Sequence, residues 1–153
     1  MLKNILFVCT GNTCRSPMAD GLFENMIENN KDNYSNISHT SAGIYVFGGE
    51  RPTDEAIKVM AEEGIDISQY RSKGLTEKMV EDADVVFVMT KNHKNYMRNS
   101  YPSASEKIFT LKEYAYGKED DIIDPFGEGM EVYRKVKEDI KDALEEILQK
   151  MRG

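Results

Sequence analysis

Two cysteines and two histidines are all that the 153 residues hold, and each scarcity closes a class of protein. A single pair of thiols does not make a disulfide scaffold. Zinc takes four ligands, and Cys9, Cys14, His39 and His93 follow no familiar ligand spacing. Long apolar runs are missing too. The run 85–89 is much too short to span a bilayer. The run 5–8, behind the lone charge of Lys3, falls short of the ~7–15 residues of a signal core. Neither export nor membrane attachment is expected, and a reducing cytoplasm is the expected location. Nor is there an excess of positive charge. The 20 Lys and Arg stand against 27 Asp and Glu, a formal net charge of −7. Such a surface repels phosphate backbones as a whole, so nucleic acid is not an expected partner. A small electropositive pocket stays compatible with it, because a cradle of backbone N–H groups acts at short range.

With 40% hydrophobic and 31% charged residues, the chain suits one domain spanning 1–153 around a single core. Residues 5–8 are apolar and β-prone and read as a buried strand. Ser16 suits the N-cap of a following helix and Pro17 its first position. Met18, Leu22 and Met26 then recur at four-residue spacing, with Ala19, Phe23 and Ile27 beside them, until Glu28-Asn29-Asn30. A second strand is placed around 37–41, followed by a glycine-bearing loop to Arg51. Thr53 is read as the cap of a helix with Ile57, Met60 and Ala61 on one face, stopping at Gly64. Residues 76–82 form a short helix, 84–89 the clearest buried strand, 91–98 a polar helix and 107–111 a further strand. An acidic loop covers 117–129, and Tyr133, Val136, Ile140, Leu144 and Ile147 trace one face of a long last helix. Strands that do not alternate, separated by helices, call for a parallel sheet covered on both faces. The predicted fold is a small doubly wound α/β domain with a four-stranded parallel sheet. In such sheets ligands sit at the carboxyl ends of the strands, where the strand order reverses.

The chemistry gathers after the first strand, in "FVCTGNTCRSPMAD" at positions 7–20. Between a strand and a helix, Thr10 to Ser16 can curl until their N–H groups converge, and Gly11 permits a conformation that a side chain would hinder. A nest of this kind at a helix N-terminus attracts an anion of phosphate size. Arg15 can lay a bidentate fork on two phosphate oxygens. Cys9 stands at the mouth of the same positive field, which favours a thiolate over a thiol. Held beneath a bound phosphate, that sulfur is placed for in-line attack on phosphorus. Taken singly, each residue has a plainer reading: a cysteine ending a strand packs as a small hydrophobe, and Gly and Asn make a turn. Cys, Gly, Asn, Arg, Ser and Pro in register after a strand are not explained that way.

These residues resemble the signature of the low-molecular-weight protein tyrosine phosphatases, whose loop reads Cys-x-Gly-Asn-x-Cys-Arg-Ser-Pro. Thr40-Ser41-Ala42-Gly43, the strand at 83–90 and Asp124-Pro125 also sit where that family has counterparts, so the resemblance covers almost the whole chain. It implies a four-stranded parallel sheet and a two-step hydrolysis that uses neither metal nor cofactor. It makes Cys9 the nucleophile, Arg15 the phosphate ligand and Ser16 a hydroxyl donor to the thiolate. Thr10, Gly11, Asn12, Thr13 and Cys14 complete the phosphate cradle, with Asn12 holding the strained turn and Ser41 bracing it. The leaving group needs a proton, and neither His39, in a strand, nor His93, on a polar helix, is well placed to give one. Most acidic runs are solvated loops, but in "EDDIIDPF" (119–126) Pro125 restrains Asp124 to an extended conformation. The resemblance makes Asp124 the general acid, and then the base toward the water that releases inorganic phosphate. The family also suggests that Cys9, oxidised to a sulfenic acid, is captured by Cys14 as a reversible disulfide. The plainer reading is that Cys14 packs behind the loop.

Thr13 bears on which phosphorylated protein is the substrate. Tyrosine-directed members usually carry a branched apolar residue there. The threonine, with "MTKNHK" (89–94), "FTLKEYAYG" (109–117) and "DPFG" (124–127), is similar to the bacterial protein arginine phosphatases of the family. A guanidinium brings N–H donors that a wall hydroxyl satisfies, whereas a phosphotyrosine ring prefers apolar and aromatic walls. Phe126 keeps one such wall, while Gly127 stands where many eukaryotic members have a second tyrosine. Tyr45 and Phe47 are read either as a pocket rim or as loop anchors. Gln69 lies near a position where many members have a structural histidine. The expectation is a cysteine-dependent protein phosphoarginine phosphatase, with phosphotyrosine as the alternative. An arsenate reductase is a weaker rival, because such relatives relay oxidation through further cysteines that this chain lacks. An idle anion-binding module has no use for Cys9, Arg15 and Asp124 together.

Overall fold

All residues of the first strand after Asn4 are buried in the computed structural model of the chain, and its pleat sends them alternately into two cores. Ile5, Phe7 and Cys9 join one, Leu6 and Val8 the other. The structure describes residues 2–34 and 36–152. Along them run β1 (Asn4–Cys9), α1 (Arg15–Glu28), α2 (Lys31–Tyr34), β2 (Ser38–Gly43), α3 (Asp54–Ala61), α4 (Glu77–Asp82), β3 (Val85–Val88), α5 (Lys91–Ser100), β4 (Ile108–Thr110), α6 (Leu111–Tyr116) and α7 (Met130–Arg152). The strands form one parallel sheet in the order β2-β1-β3-β4. The chain steps outward from β1 to β2, then returns across β1 to β3. Strand order therefore reverses at the carboxyl end of β1, where residues 10–14 leave the sheet.

Helices cover both faces, as the unbroken apolar strands require. Met18 and Phe23 of α1, Val59 of α3, Leu111 of α6 and the stripe Tyr133, Val136, Ile140, Leu144 and Ile147 of α7 fill one core. Val80 of α4 and Met97 of α5 close the other. Each fully buried aliphatic or aromatic side chain contributes roughly 1.5–3 kcal/mol, an upper figure because unfolded chains already bury some surface. Among the described residues no helix is long and apolar enough to cross a membrane.

Three sequence expectations shift. The strand expected at 107–111 shrinks to β4, because Thr110 and Glu113 close a capping box that opens α6. Ser16 does not cap α1, which begins two residues earlier than expected, at Arg15, with Cys14 at the cap and no side-chain cap bond. Its hydroxyl is used within the loop instead, and Pro17 still falls in the first turn, where its missing N–H costs no helix bond. The helix at 91–98 is not simply polar, since His93, Lys94 and Met97 form a buried face. Lys94 is satisfied there by Glu113 at 2.7 Å and Glu119 at 3.5 Å.

His39 lies in β2 as expected and is structural. Its Nδ1 is 2.5 Å from Asp20 Oδ1, and its Nε2 bonds Glu24, both on α1. Burial alone would lower its pKa, but the two carboxylates outweigh that and raise it.

Candidate active site

Cys9 ends β1, and the turn after it is shaped by Asn12. Asn12 is the only non-glycine among the described residues with positive φ, at 56°. A left-handed residue of this kind costs about 1–2 kcal/mol, so something must hold it. Its side-chain amide does so: Nδ2 donates to Ser16 Oγ at 2.8 Å and Ser41 Oγ at 3.1 Å. Oδ1 accepts from the Tyr70 hydroxyl and the Lys73 amide, both at 3.0 Å. Gly11, expected to supply the unusual backbone, does not. Its φ is not left-handed, and a Cβ built there would meet only Thr13 Oγ1, at 3.6 Å. The glycine that the loop needs is Gly43 at the end of β2. A Cβ there would lie 2.8 Å from the Thr10 carbonyl oxygen and 3.1 Å from Asn12 Cβ, so a side chain would push the loop off the sheet.

Ser16 Oγ accepts the Asn12 amide proton, which leaves its own proton for Cys9 Sγ, 2.9 Å away. Around that sulfur the backbone is unusually open. None of the described residues accepts a hydrogen bond from the amides of Gly11, Asn12, Thr13 or Cys14. Amides left this way at a helix start are completed by an anion or by solvent. Arg15 is only 4% exposed. Its Nη1 donates to the Ile122 carbonyl at 2.8 Å, and Nη2 is 3.7 Å from Asp124 Oδ2. The Ile122 amide is itself bonded to the Met89 carbonyl at the end of β3, at 2.8 Å, so the acidic loop is moored to the sheet. Asp124 Oδ1 accepts the Phe126 amide at 3.0 Å, a turn across Pro125 that aims the carboxylate. Cys9, Thr10, Gly11, Thr13, Cys14, Arg15, Asp124 and Phe126 line one cavity of about 240 Å³.

Cys14 packs behind the loop, its sulfur 3.3 Å from Tyr133 Oη and 3.7 Å from Thr53 Oγ1. Burial pushes its thiol up, and so away from ionisation. Both cysteines are free. Thr53 caps α3, as expected, and its amide also donates to the Thr13 carbonyl at 3.0 Å. Tyr45 and Phe47 stand in solvent, 74% and 90% exposed, and line no part of the cavity. The backbone there is nevertheless anchored, since the Ile44 and Tyr45 amides donate to the carbonyls of Cys9 and Thr10. Among the described residues no group of three or more His, Cys, Asp or Glu could hold a metal ion.

Two residues of the site were not foreseen. His93 is buried, with Nε2 2.8 Å from Thr10 Oγ1. Burial, then the charge of Arg15, lowers its pKa to about 4, so the ring is neutral at ordinary pH. Tyr70 closes a ring of hydroxyls and amide: Asn12 Nδ2 donates to Ser41 Oγ, which bonds the Tyr70 hydroxyl, which donates back to Asn12 Oδ1. Tyr70 is next to Gln69, where the sequence offered no loop support. Tyr70→Phe is expected to lower stability by about 1 kcal/mol and kcat/KM by about tenfold. Urea denaturation and steady-state kinetics on one phosphopeptide measure both, and wild-type values in each would show that the ring is dispensable.

The sequence pattern of the low molecular weight phosphotyrosine protein phosphatases matches residues 4–153. The chain belongs to this family. Its activity class is therefore that of a phosphatase, a hydrolase. A protein-arginine-phosphatase of Geobacillus stearothermophilus is 37% identical over 151 residues, which cover 99% of this chain and 97% of that one. The solved low molecular weight protein tyrosine phosphatase of T. tengcongensis superposes with a TM-score of 0.91 at 40% identity, covering 97% and 99% of the two chains. A structure of the YwlE arginine phosphatase, with its active-site cysteine replaced by a phosphorylated serine, superposes with a TM-score of 0.90 at 35% identity, covering 96% and 94%. Within the family fold, Asn12, Ser16 and Ser41 converge behind Cys9, while Arg15 and Asp124 meet it across the cavity.

Proposed function

We propose that the chain hydrolyses phosphoarginine in proteins through a cysteinyl-phosphate. The observation that carries this reading is a run of amides with no acceptor among the described residues, beside a cavity that also holds Cys9, Arg15 and Asp124. In the first step Cys9 Sγ attacks phosphorus and the P–N bond breaks. Asp124 gives its proton to the departing guanidine nitrogen. Arg15 and the loop amides hold the three equatorial oxygens of a loose transition state, where positioning and electrostatics supply most of the rate. In the second step a water oxygen attacks phosphorus, Asp124 takes the water's proton, the S–P bond breaks and inorganic phosphate leaves. The phosphorylated active-site serine in the related YwlE structure supports a covalent phosphoryl-enzyme.

Thr13 supports the arginine assignment. Thr13 lines the cavity, and among the described residues the only side-chain hydrogen-bond neighbour of its hydroxyl is the Cys14 sulfur at a distant 4.0 Å. It can therefore accept from a substrate N–H, and an isoleucine could not. The arginine phosphatases among the relatives support the same choice. Phosphotyrosine is the second reading, favoured by the aromatic Phe126 among the residues that line the cavity. Matched phosphoarginine and phosphotyrosine peptides separate the two. Wild type should prefer phosphoarginine by about tenfold or more, or about 1.4 kcal/mol, and Thr13→Ile should move the ratio toward phosphotyrosine. A tenfold wild-type preference for phosphotyrosine would overturn the arginine assignment.

A further inference from the structure

Beside the phosphate cradle lies a second cavity, of about 510 Å³, and Thr10, Arg15 and Asp124 border both. Beside the neutral Thr90 and Asn92, the rest of its lining has two characters. Ile44, Tyr96 and Ile123 give it apolar surface, the last two 48% and 58% exposed. Asp121 gives it charge. Its Oδ1 accepts the Lys91 amide at 2.8 Å, which fixes the carboxylate, and none of the described residues bonds Oδ2. His93, more than nine-tenths buried and with no partner for Nδ1 among the described residues, lines the same space and is neutral. Arg15 is already met by Asp124 and the Ile122 carbonyl. Asp121 is thus the unbalanced charge of this cavity.

A peptide whose phosphorylated side chain fills the cradle carries its next residue only about 3.8 Å further along the backbone. We propose that the second cavity receives the substrate residue adjoining the phosphorylated one and selects lysine or arginine there. The aliphatic stem lies over Ile44, Tyr96 and Ile123, and the cationic head reaches Asp121. The net charge of −7 adds a weak attraction of the same sign. This inference rests on the reading of the chain as a phosphatase of protein side chains.

The test uses phosphoarginine peptides with lysine, alanine or glutamate either just before or just after the phosphorylated residue, and measures phosphate release. In one of the two settings, lysine should exceed alanine in kcat/KM by about fivefold or more, with glutamate below alanine. Asp121→Asn should remove the lysine advantage while hydrolysing the alanine peptide as wild type does. Tyr96→Lys, which leaves the acidic loop untouched, should invert the order in favour of glutamate. Equal kcat/KM for lysine and alanine in both settings overturns the assignment, as does a lysine preference that survives both substitutions. In either case, hydrolysis of the alanine peptide leaves the phosphatase reading standing. If no peptide is hydrolysed, that reading falls and the inference goes with it.

Discussion

Cys9→Ser should lower turnover by on the order of 10⁴-fold or more while keeping the affinity for phosphate within about threefold. The split follows from what the sulfur does and does not hold. The loop is fixed by Asn12, Ser41 and Tyr70, and in the proposed mechanism the anion is held by amides and Arg15, so a serine leaves the cradle standing. The replacement oxygen keeps the bond to Ser16 Oγ, 2.9 Å from the present sulfur. A serine hydroxyl without a base beside it is a far weaker nucleophile than the cysteine sulfur, and a phosphoserine, once formed, is a more stable ester than a cysteinyl-phosphate. The nearest imidazole, His93, is committed to Thr10 at 2.8 Å. Phosphate release measured beside calorimetric phosphate binding checks both halves. Turnover within tenfold of wild type would remove Cys9 from the nucleophile's role.

Arg15→Lys should lower kcat/KM by roughly 10²- to 10⁴-fold, although the charge is conserved. The guanidinium does two jobs at once. One edge is tied to the Ile122 carbonyl at 2.8 Å, and the group as a whole faces the cavity beside Asp124. An ammonium on a flexible stem cannot hold that carbonyl and also fork onto two phosphate oxygens. The acidic loop would lose one of its moorings, and Asp124 its register with the leaving group. The loss should therefore fall more on kcat than on KM. Kinetics on the phosphopeptide used for Tyr70→Phe, with a urea midpoint to exclude unfolding, measure it. A lysine variant within fivefold of wild type would mean that charge alone suffices.

Much of this architecture was legible because β1, β3 and α7 bury apolar residues in patterns that only one arrangement satisfies. The phosphate loop was legible because its chemistry is compressed into consecutive residues after a strand. The errors are local ambiguities resolved by tertiary contacts. Ser-Pro reads as a cap, yet the Ser16 hydroxyl serves the Cys9 sulfur. Gly11 and Asn12 are both turn formers, and only the partners around Asn12 decide which takes the left-handed backbone. The short β4 could have been trimmed from the sequence, since Thr110 and Glu113 carry the capping-box spacing. Tyr70 and His93 could not have been found that way, because they reach the loop across 58 and 83 residues of chain.

The ring through Asn12, Ser41 and Tyr70 uses every donor and lone pair of the Asn12 amide inside the folded protein, with none drawn from a ligand. The loop is thus rigid before substrate arrives, and capture of a phosphoryl group forfeits little disorder. That cost is met once, during folding, when the asparagine is forced into its unfavourable twist. Asn12→Gly would relax the backbone and yet free the loop to wander. Stability and readiness are therefore opposed at a single residue whose side chain contacts no reacting atom.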